Sequence, residues 1–533
     1  MWSRQGLCAA LLAACLAGPA GAQIEDSALG QVDPWGLGFL EQSDTPFQTA
    51  MWRGARTEDL LPMLREVRTK GLTPAERALL RRMVLSPALA PAGEEKDEML
   101  AERARIAFEL GEASAAAALM GRLETPPPGL DPAETAADLN LAMGNQATAC
   151  AGVGQDGHDS AYWAKLRAVC AALAGNTSGA ELAIEMARSQ GVEDSWLLNA
   201  VFAASGEMPN PPTAKFDSGI DLAMSFRANL AAPAKGGDPG RPDVAAAMAR
   251  QKLTPPVLRV KAANIAAAAG LLTADEHRTA YNSALAADGY VQATALDKAY
   301  FTSADAFRET PEKAAALAAA LKDASGDAAR FAAISRLLAP DLARLQVEPD
   351  TAPFALTFAR ACIAAGNARE ANRWTSAIKL EESGLPAFET AWIDALVVLA
   401  GSNTGNRSVA AVTERLMETA KTASEKRAAA RVMMLWSAFY TTAPSDGRAF
   451  IAKESEAPGK ALAPGKVMSV LAATRSGATA ETILSTLELT AGDPSKFDPA
   501  DLAILVEALR RVGAEDLART LALEATGYWK TQK

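Results

Sequence analysis

His158-Asp159-Ser160 sets the three letters of an acyl-transfer triad side by side. A triad works only when its members converge in space, and neighbouring residues on a chain point apart. Asp159 or Ser160 is better read as the cap of a following helix. Just upstream, Gly152-Val153-Gly154-Gln155-Asp156-Gly157 spells a dinucleotide-binding fingerprint. That fingerprint offers its amides to a pyrophosphate only when a strand feeds it. Here a helical run ending near Ala151 comes first, so the glycines read as an interhelical loop. Pro458-Gly459-Lys460 and Pro464-Gly465-Lys466 lack the upstream glycine and the trailing Ser or Thr of a phosphate loop. The two histidines, His158 and His277, fall in unrelated stretches, which argues against the usual zinc sites. The expectation is a protein that is not an enzyme and takes neither cofactor nor metal.

Residues 1–22 have the form of a secretory signal: Arg4, an apolar core from Leu7 to Ala17, a break at Gly18-Pro19, and a small-x-small site at Ala20-Gly21-Ala22. Leu12-Ala13-Ala14-Cys15 offers a rival reading, a lipobox that would leave a lipid anchor on Cys15. Either way the chain is expected in the periplasm. No later stretch holds the ~20 apolar residues that a membrane span requires. Of the five cysteines, Cys150, Cys170 and Cys362 follow the signal. Cys150 and Cys170 fall on successive helices, so a disulfide between them is expected in an oxidising compartment. Cys362 lies in an apolar helix and reads as a buried thiol.

The apolar share is 49% but only 6% aromatic, and alanine supplies much of it. Alanine favours helix and allows close backbone approach, so the fold class is all-α. From Asp159 to Gly206 the chain reads as helix and glycine stop three times over, with Tyr162, Trp163, Leu166, Cys170 and Leu173 on one helical face. Gly111, Gly144, Gly175 and Gly206 are spaced 33, 31 and 31 residues apart. A small residue follows five positions after several such stops, at Ala116, Ala149, Ala180, Ala371 and Ala518, where a returning helix would cross its partner closely. The spacing predicts an α-solenoid of antiparallel helix hairpins, a tetratricopeptide-like superhelix. Thr73-Pro74-Ala75-Glu76 and Thr273-Ala274-Asp275-Glu276 predict capping boxes. Pro- and Gly-rich breaks predict an N-terminal extension over 23–93 and three helical lobes over 94–233, 244–338 and 354–533.

Trp163-Ala164-Lys165-Leu166-Arg167 through Cys170 to Gly175, with Ala359-Arg360-Ala361-Cys362 to Gly366, resembles the superhelical, non-catalytic region of soluble lytic transglycosylases. It is also similar to uncharacterised periplasmic helical-repeat proteins of alphaproteobacteria. The transglycosylase resemblance implies a catalytic Glu followed by Ser. Glu382-Ser383 matches those two letters, but the Gly-Leu-Met-Gln element that should follow is missing. Glu382 therefore reads as the end of a helix.

A net charge of −10 and the export signal disfavour a nucleic-acid partner. One stretch, Met51 to Leu85, runs against the acidic balance with eight basic residues, among them Arg53, Arg56, Arg77 and Arg81. It reads as a helix face laced with ion pairs, or as a dock for an anionic partner. Trp35 and Phe39, set among glycines, are further candidate contacts, with packing onto the first helices as the simpler reading. The expected function is an exported, non-catalytic scaffold or accessory factor that binds envelope proteins, with peptidoglycan or glycan binding as the alternative. Mass spectrometry of the mature chain is expected to place its N-terminus at Gln23; an acylated N-terminal Cys15 would contradict the soluble form.

Overall fold

The computed structural model describes residues 33–42, 44–155, 157–206, 208–233, 237–376, 384–401, 408–454, 459–490 and 492–530. Among these the chain forms 26 α-helices and no β-strand. The caps follow from local chemistry. Thr73 and Thr273 close reciprocal capping boxes with Glu76 and Glu276, and Asp131, Ser160 and Asp194 each accept an amide of the first turn they precede. Gly111 and Gly175 end their helices at φ +89° and +77°, a backbone that a side chain would strain. Each stop returns the chain on itself. Lys96–Glu109 packs on Ala113–Met120, Ala161–Leu173 on Thr177–Ser189, Ala355–Ala364 on Ala368–Ser376, and Pro499–Arg511 on Glu515–Ala525. Ala116, Ala371 and Ala518 are fully buried at these crossings, where a longer side chain would force the helices apart.

Two features depart from the expected lobes. The helix Ala328–Arg344 runs straight through the boundary expected at Ala339, with Pro340 inside it. Pro340 is exposed, and it leaves the carbonyl four residues earlier without its helical donor. This helix touches Pro256–Ala268, Ala274–Leu285, Thr310–Ala324 and Ala355–Ala364, and also Pro74–Leu85 near the other end of the chain. The cores also divide differently. Met99 to Met120 share one large core with residues from Val260 to Trp529, whereas Leu166, Val169, Leu197 and Met224 build a separate small one. The stretch expected as a single lobe over 94–233 is thus divided among three cores, since Ala142, Ala214, Phe216 and Leu222 join a further one with Val244 and Ala263.

The first helices meet the last. Pro74–Leu85 packs against Thr479–Thr490 and Glu515–Ala525. Glu76, fully buried, accepts from Thr490 Oγ1 at 2.5 Å and from the Gly492 amide at 3.0 Å, besides capping its own helix at Thr73. Glu524 enters from the opposite side and accepts the Ala75 amide at 2.9 Å, one of the donors that a helix start leaves without an internal partner. Arg82 pairs with Asp516, and the Ala480 amide donates to Met51 O at 3.0 Å.

Burial pushes the Glu524 carboxyl up to about 8, against the hydrogen bonds from Thr73 and Ala75, and the Glu76 carboxylate beside it pushes the same way as burial. The folded chain therefore holds this proton more tightly than the unfolded chain, whose carboxyl releases it near 4.5. The associated stability is complete below that value and is lost as pH rises through about 8. Thermal melts are expected to show Glu524→Gln more stable than the parent near neutral and mildly alkaline pH, by on the order of 3 kcal/mol, with the two converging in acid. Parallel curves at every pH would contradict this assignment.

Candidate functional site

Arg77 and Arg81, four positions apart, share one face of the Pro74–Leu85 helix, and Arg82 stands at the edge of that face. Opposite them Arg336 projects from Ala328–Arg344. Between the two helices lies a cavity of 280 Å³. Leu40 and Asp44 belong to its wall, as do Pro74, Leu517 and the turn from Ala268 to Leu272. A second cavity of 350 Å³ shares Asp44, Arg81, Gly270 and Leu272 with the first, so the two adjoin as one groove. Its further wall carries Leu139, Met143, Ala246 and Leu271 beside Glu112 and Arg250.

The four guanidiniums are not equivalent. Arg81 is shared by Asp44 at 3.0 Å and Glu112 at 2.5 Å, and Arg82 pairs with Asp516. Among the described residues Arg77 reaches only the Leu110 carbonyl, at 3.5 Å. Arg336 has no hydrogen-bond acceptor and no carboxylate partner among the described residues. Burial holds both Arg77 and Arg336 below the usual guanidinium range; no charge opposes it at Arg77, and only the Tyr528 phenol does so at Arg336. The Arg336 charge also reaches His277: burial first, and that charge second, push the imidazole down to about 3. His277 is thereby a neutral core residue, held by Asn264 at 2.8 Å.

The residues singled out in the sequence fall in different places. Trp35 is only 2% exposed and stands edge-on to Trp52, with ring centroids 5.6 Å apart. Arg103, itself fully buried, lies over the Trp35 ring and donates to the carbonyls of Trp35, Leu37, Val84 and Ser86. Phe39 is half-buried against the same core, its amide bonded to Leu85 O. The segment around Trp35 and Phe39 therefore packs on its own first helices, and Trp35 is out of a partner's reach. Arg53 is exposed, and Arg56 is engaged by Glu58 and Asp59. Of the basic candidates only Arg77 and Arg81 line the groove. Arg336 was missed, although one charge inside Phe331-Ala332-Ala333-Ile334 and Leu337-Leu338 is a signal that could have found it.

Cys150 and Cys170 are joined, with Cα atoms 5.8 Å apart. Burial pushes the free Cys362 thiol up to about 12, so little of it is thiolate at neutral pH. His158 stacks on Trp163 with ring centroids 3.8 Å apart and meets the Gly152 carbonyl, while Ser160 caps the Trp163 helix. The triad letters thus serve the turn. Glu382 and Ser383 lie outside the described residues.

A separate cleft of 360 Å³ between Pro132–Ala142, Ala161–Leu173 and Gly219–Arg227 is richer in charge but differently arranged. Lys165 pairs with Asp194 at 2.8 Å, Lys215 with Asp221 at 3.5 Å, and Arg241 with Asp138 at 3.0 Å. Each cation there already has its anion, and Asp138 also accepts the Gly219 and Ile220 amides. The groove at Arg77 and Arg336 differs in leaving positive charge uncompensated.

Trp35→Ala is expected to lower stability by roughly 3–5 kcal/mol, the usual loss for emptying a buried aromatic site, as read by denaturant unfolding of the full chain. A loss within ~1 kcal/mol would mean that Trp35 is not part of the core. No family model, no curated protein and no solved structure matches this chain.

Proposed function

We propose that this chain is an exported, non-catalytic helical-repeat protein that holds another protein of the cell envelope, its hairpins stacked as a tetratricopeptide-like solenoid. The observation that carries the reading is the recurrence of one turn: a helix, a left-handed glycine, and a buried small residue where the returning helix crosses. Hairpins of that kind bury one face against their neighbours and leave the other free for contacts, which is how such arrays are generally used. The Thr177–Ser189 helix fits this use. Ala180, Ile184 and Ala187 face its neighbours, while Leu182 and Met186, one turn apart, are 64% and 50% exposed. Among the described residues no helix is long and apolar enough to cross a membrane.

A photo-crosslinking residue at position 182 or 186, introduced in cells, is expected to give a discrete protein adduct. The same probe at the exposed Glu312 is expected to give none. The reading fails if both positions give no adduct, or if the purified chain sediments with protein-free sacculi, which would favour the glycan-binding alternative.

A further inference from the structure

A guanidinium partly withdrawn from water without a carboxylate loses some hydration, which a bound anion can replace. Arg77 and Arg336 are two such groups facing one cavity, brought together from positions far apart in the chain. Their neighbours Arg81 and Arg82 are matched to acids, and the fully buried Arg103 to four backbone carbonyls, whereas Arg77 reaches one carbonyl at 3.5 Å and Arg336 has no such acceptor among the described residues. The cavity is thus prepared for an anion that the chain does not supply among its described residues.

The rest of the wall says what kind of anion. Leu40, Pro74, Leu272 and Leu517 are apolar, so the ligand must carry an apolar body beside its charge. Inorganic phosphate would leave those surfaces uncovered. At 280 Å³ the chamber is about twice the ~150 Å³ that admits a benzene ring, enough for one or two amino-acid residues. The adjoining chamber of 350 Å³ continues the groove past Arg81, with Met143 and Leu271 in its wall. We infer that this two-chambered groove binds an extended peptide segment, whose carboxylate rests on Arg77 and Arg336 while the neighbouring residues lie in the second chamber. Planar guanidiniums suit a carboxylate, which can take two parallel N–H donors at once. The inference deepens the protein-binding reading by naming what part of the partner is held.

The test uses the purified mature chain and fluorescence anisotropy with four probes. These are a labelled alanine-leucine hexapeptide with a free C-terminus, the same peptide amidated, the amidated peptide with one internal glutamate, and unlabelled hexanoate as competitor. The free-acid peptide is expected to bind, and Arg336→Gln and Arg77→Gln are each expected to weaken it by about tenfold or more, with Arg56→Gln as the unchanged control. Amidation should abolish binding. Recovery by the internal glutamate would support the carboxylate site and show that it takes a side-chain carboxylate as well as a terminal one. Arg336→Gln should melt at the same temperature as the parent or higher, because it removes a half-buried charge with no carboxylate partner among the described residues. If that variant does not fold, Arg77→Gln carries the test. Equal binding of acid and amidated peptides, or an unchanged affinity in Arg77→Gln, would overturn the inference. So would hexanoate competing as tightly as the peptide, since the second chamber would then contribute nothing. Because the measurement is made on isolated chain, a negative result here leaves the crosslinks at Leu182 and Met186 to judge the wider proposal separately.

Discussion

Two buried carboxyl groups at the start of the Pro74–Leu85 helix tie the beginning of this chain to its end. Glu76 satisfies the Thr490 hydroxyl and the Gly492 amide, and Glu524 satisfies the amide of Ala75. Helix starts carry donors that no residue of the same helix can accept, and here the acceptor comes from the last helix of the chain. Removing either acid would leave a buried donor without water or partner, which generally costs about 1–3 kcal/mol. A row of hairpins has no inherent reason to bring its ends together, since each hairpin needs only its neighbours. The contact between ends is therefore an added constraint, fixed by polar groups whose geometry tolerates little slippage.

That constraint also shapes the groove. The Ala328–Arg344 helix is held among four helices of the middle of the chain, and it can face Arg77 only because Pro74–Leu85 is drawn onto it. Tyr528 stacks edge-on to Phe331 with ring centroids 6.4 Å apart, so the chain's last described turns press on the same helix that carries Arg336. Closure sets two half-buried guanidiniums, neither matched to a carboxylate among the described residues, across a partly apolar space, at a modest cost in hydration. Folds keep such local costs where binding recovers them. In the charged cleft beside Ala161–Leu173, by contrast, every cation is paired, and nothing in its electrostatics calls for a ligand.

Much of the local structure could be read from residue order. Thr73 and Glu76 announce their capping box, Gly111 and Gly175 their helix ends, and Ala371 a close crossing, because each effect acts within a few residues. The spacing of Cys150 and Cys170 on neighbouring helices likewise brings them within disulfide reach. What could not be read depends on distance. The stretch from Ala339 to Pro353 reads as a boundary, yet the Ala328–Arg344 helix continues past Pro340 because its packing against several helices outweighs the helix-ending preference of proline. Packing of Trp35 onto the first helices was the simpler reading of the sequence, but its partner Arg103 lies far along the chain and binds through carbonyls that sequence does not display. Arg77 and Arg81 were visible as charges, but whether each has an acid opposite was not. That difference, which decides the site, appears only when Asp44, Glu112 and Arg336 are placed in space.

Native-state hydrogen exchange on the full chain tests the closure most directly. If the ends are locked through Glu76 and Glu524, the amides of Leu79, Leu80 and Met83 should open with the same free energy as those of Leu521 to Ala525, and both sets should weaken together in Glu76→Ala. Early exchange of the first helices while the last helix stays protected, unchanged by that substitution, would show that the two ends are independent.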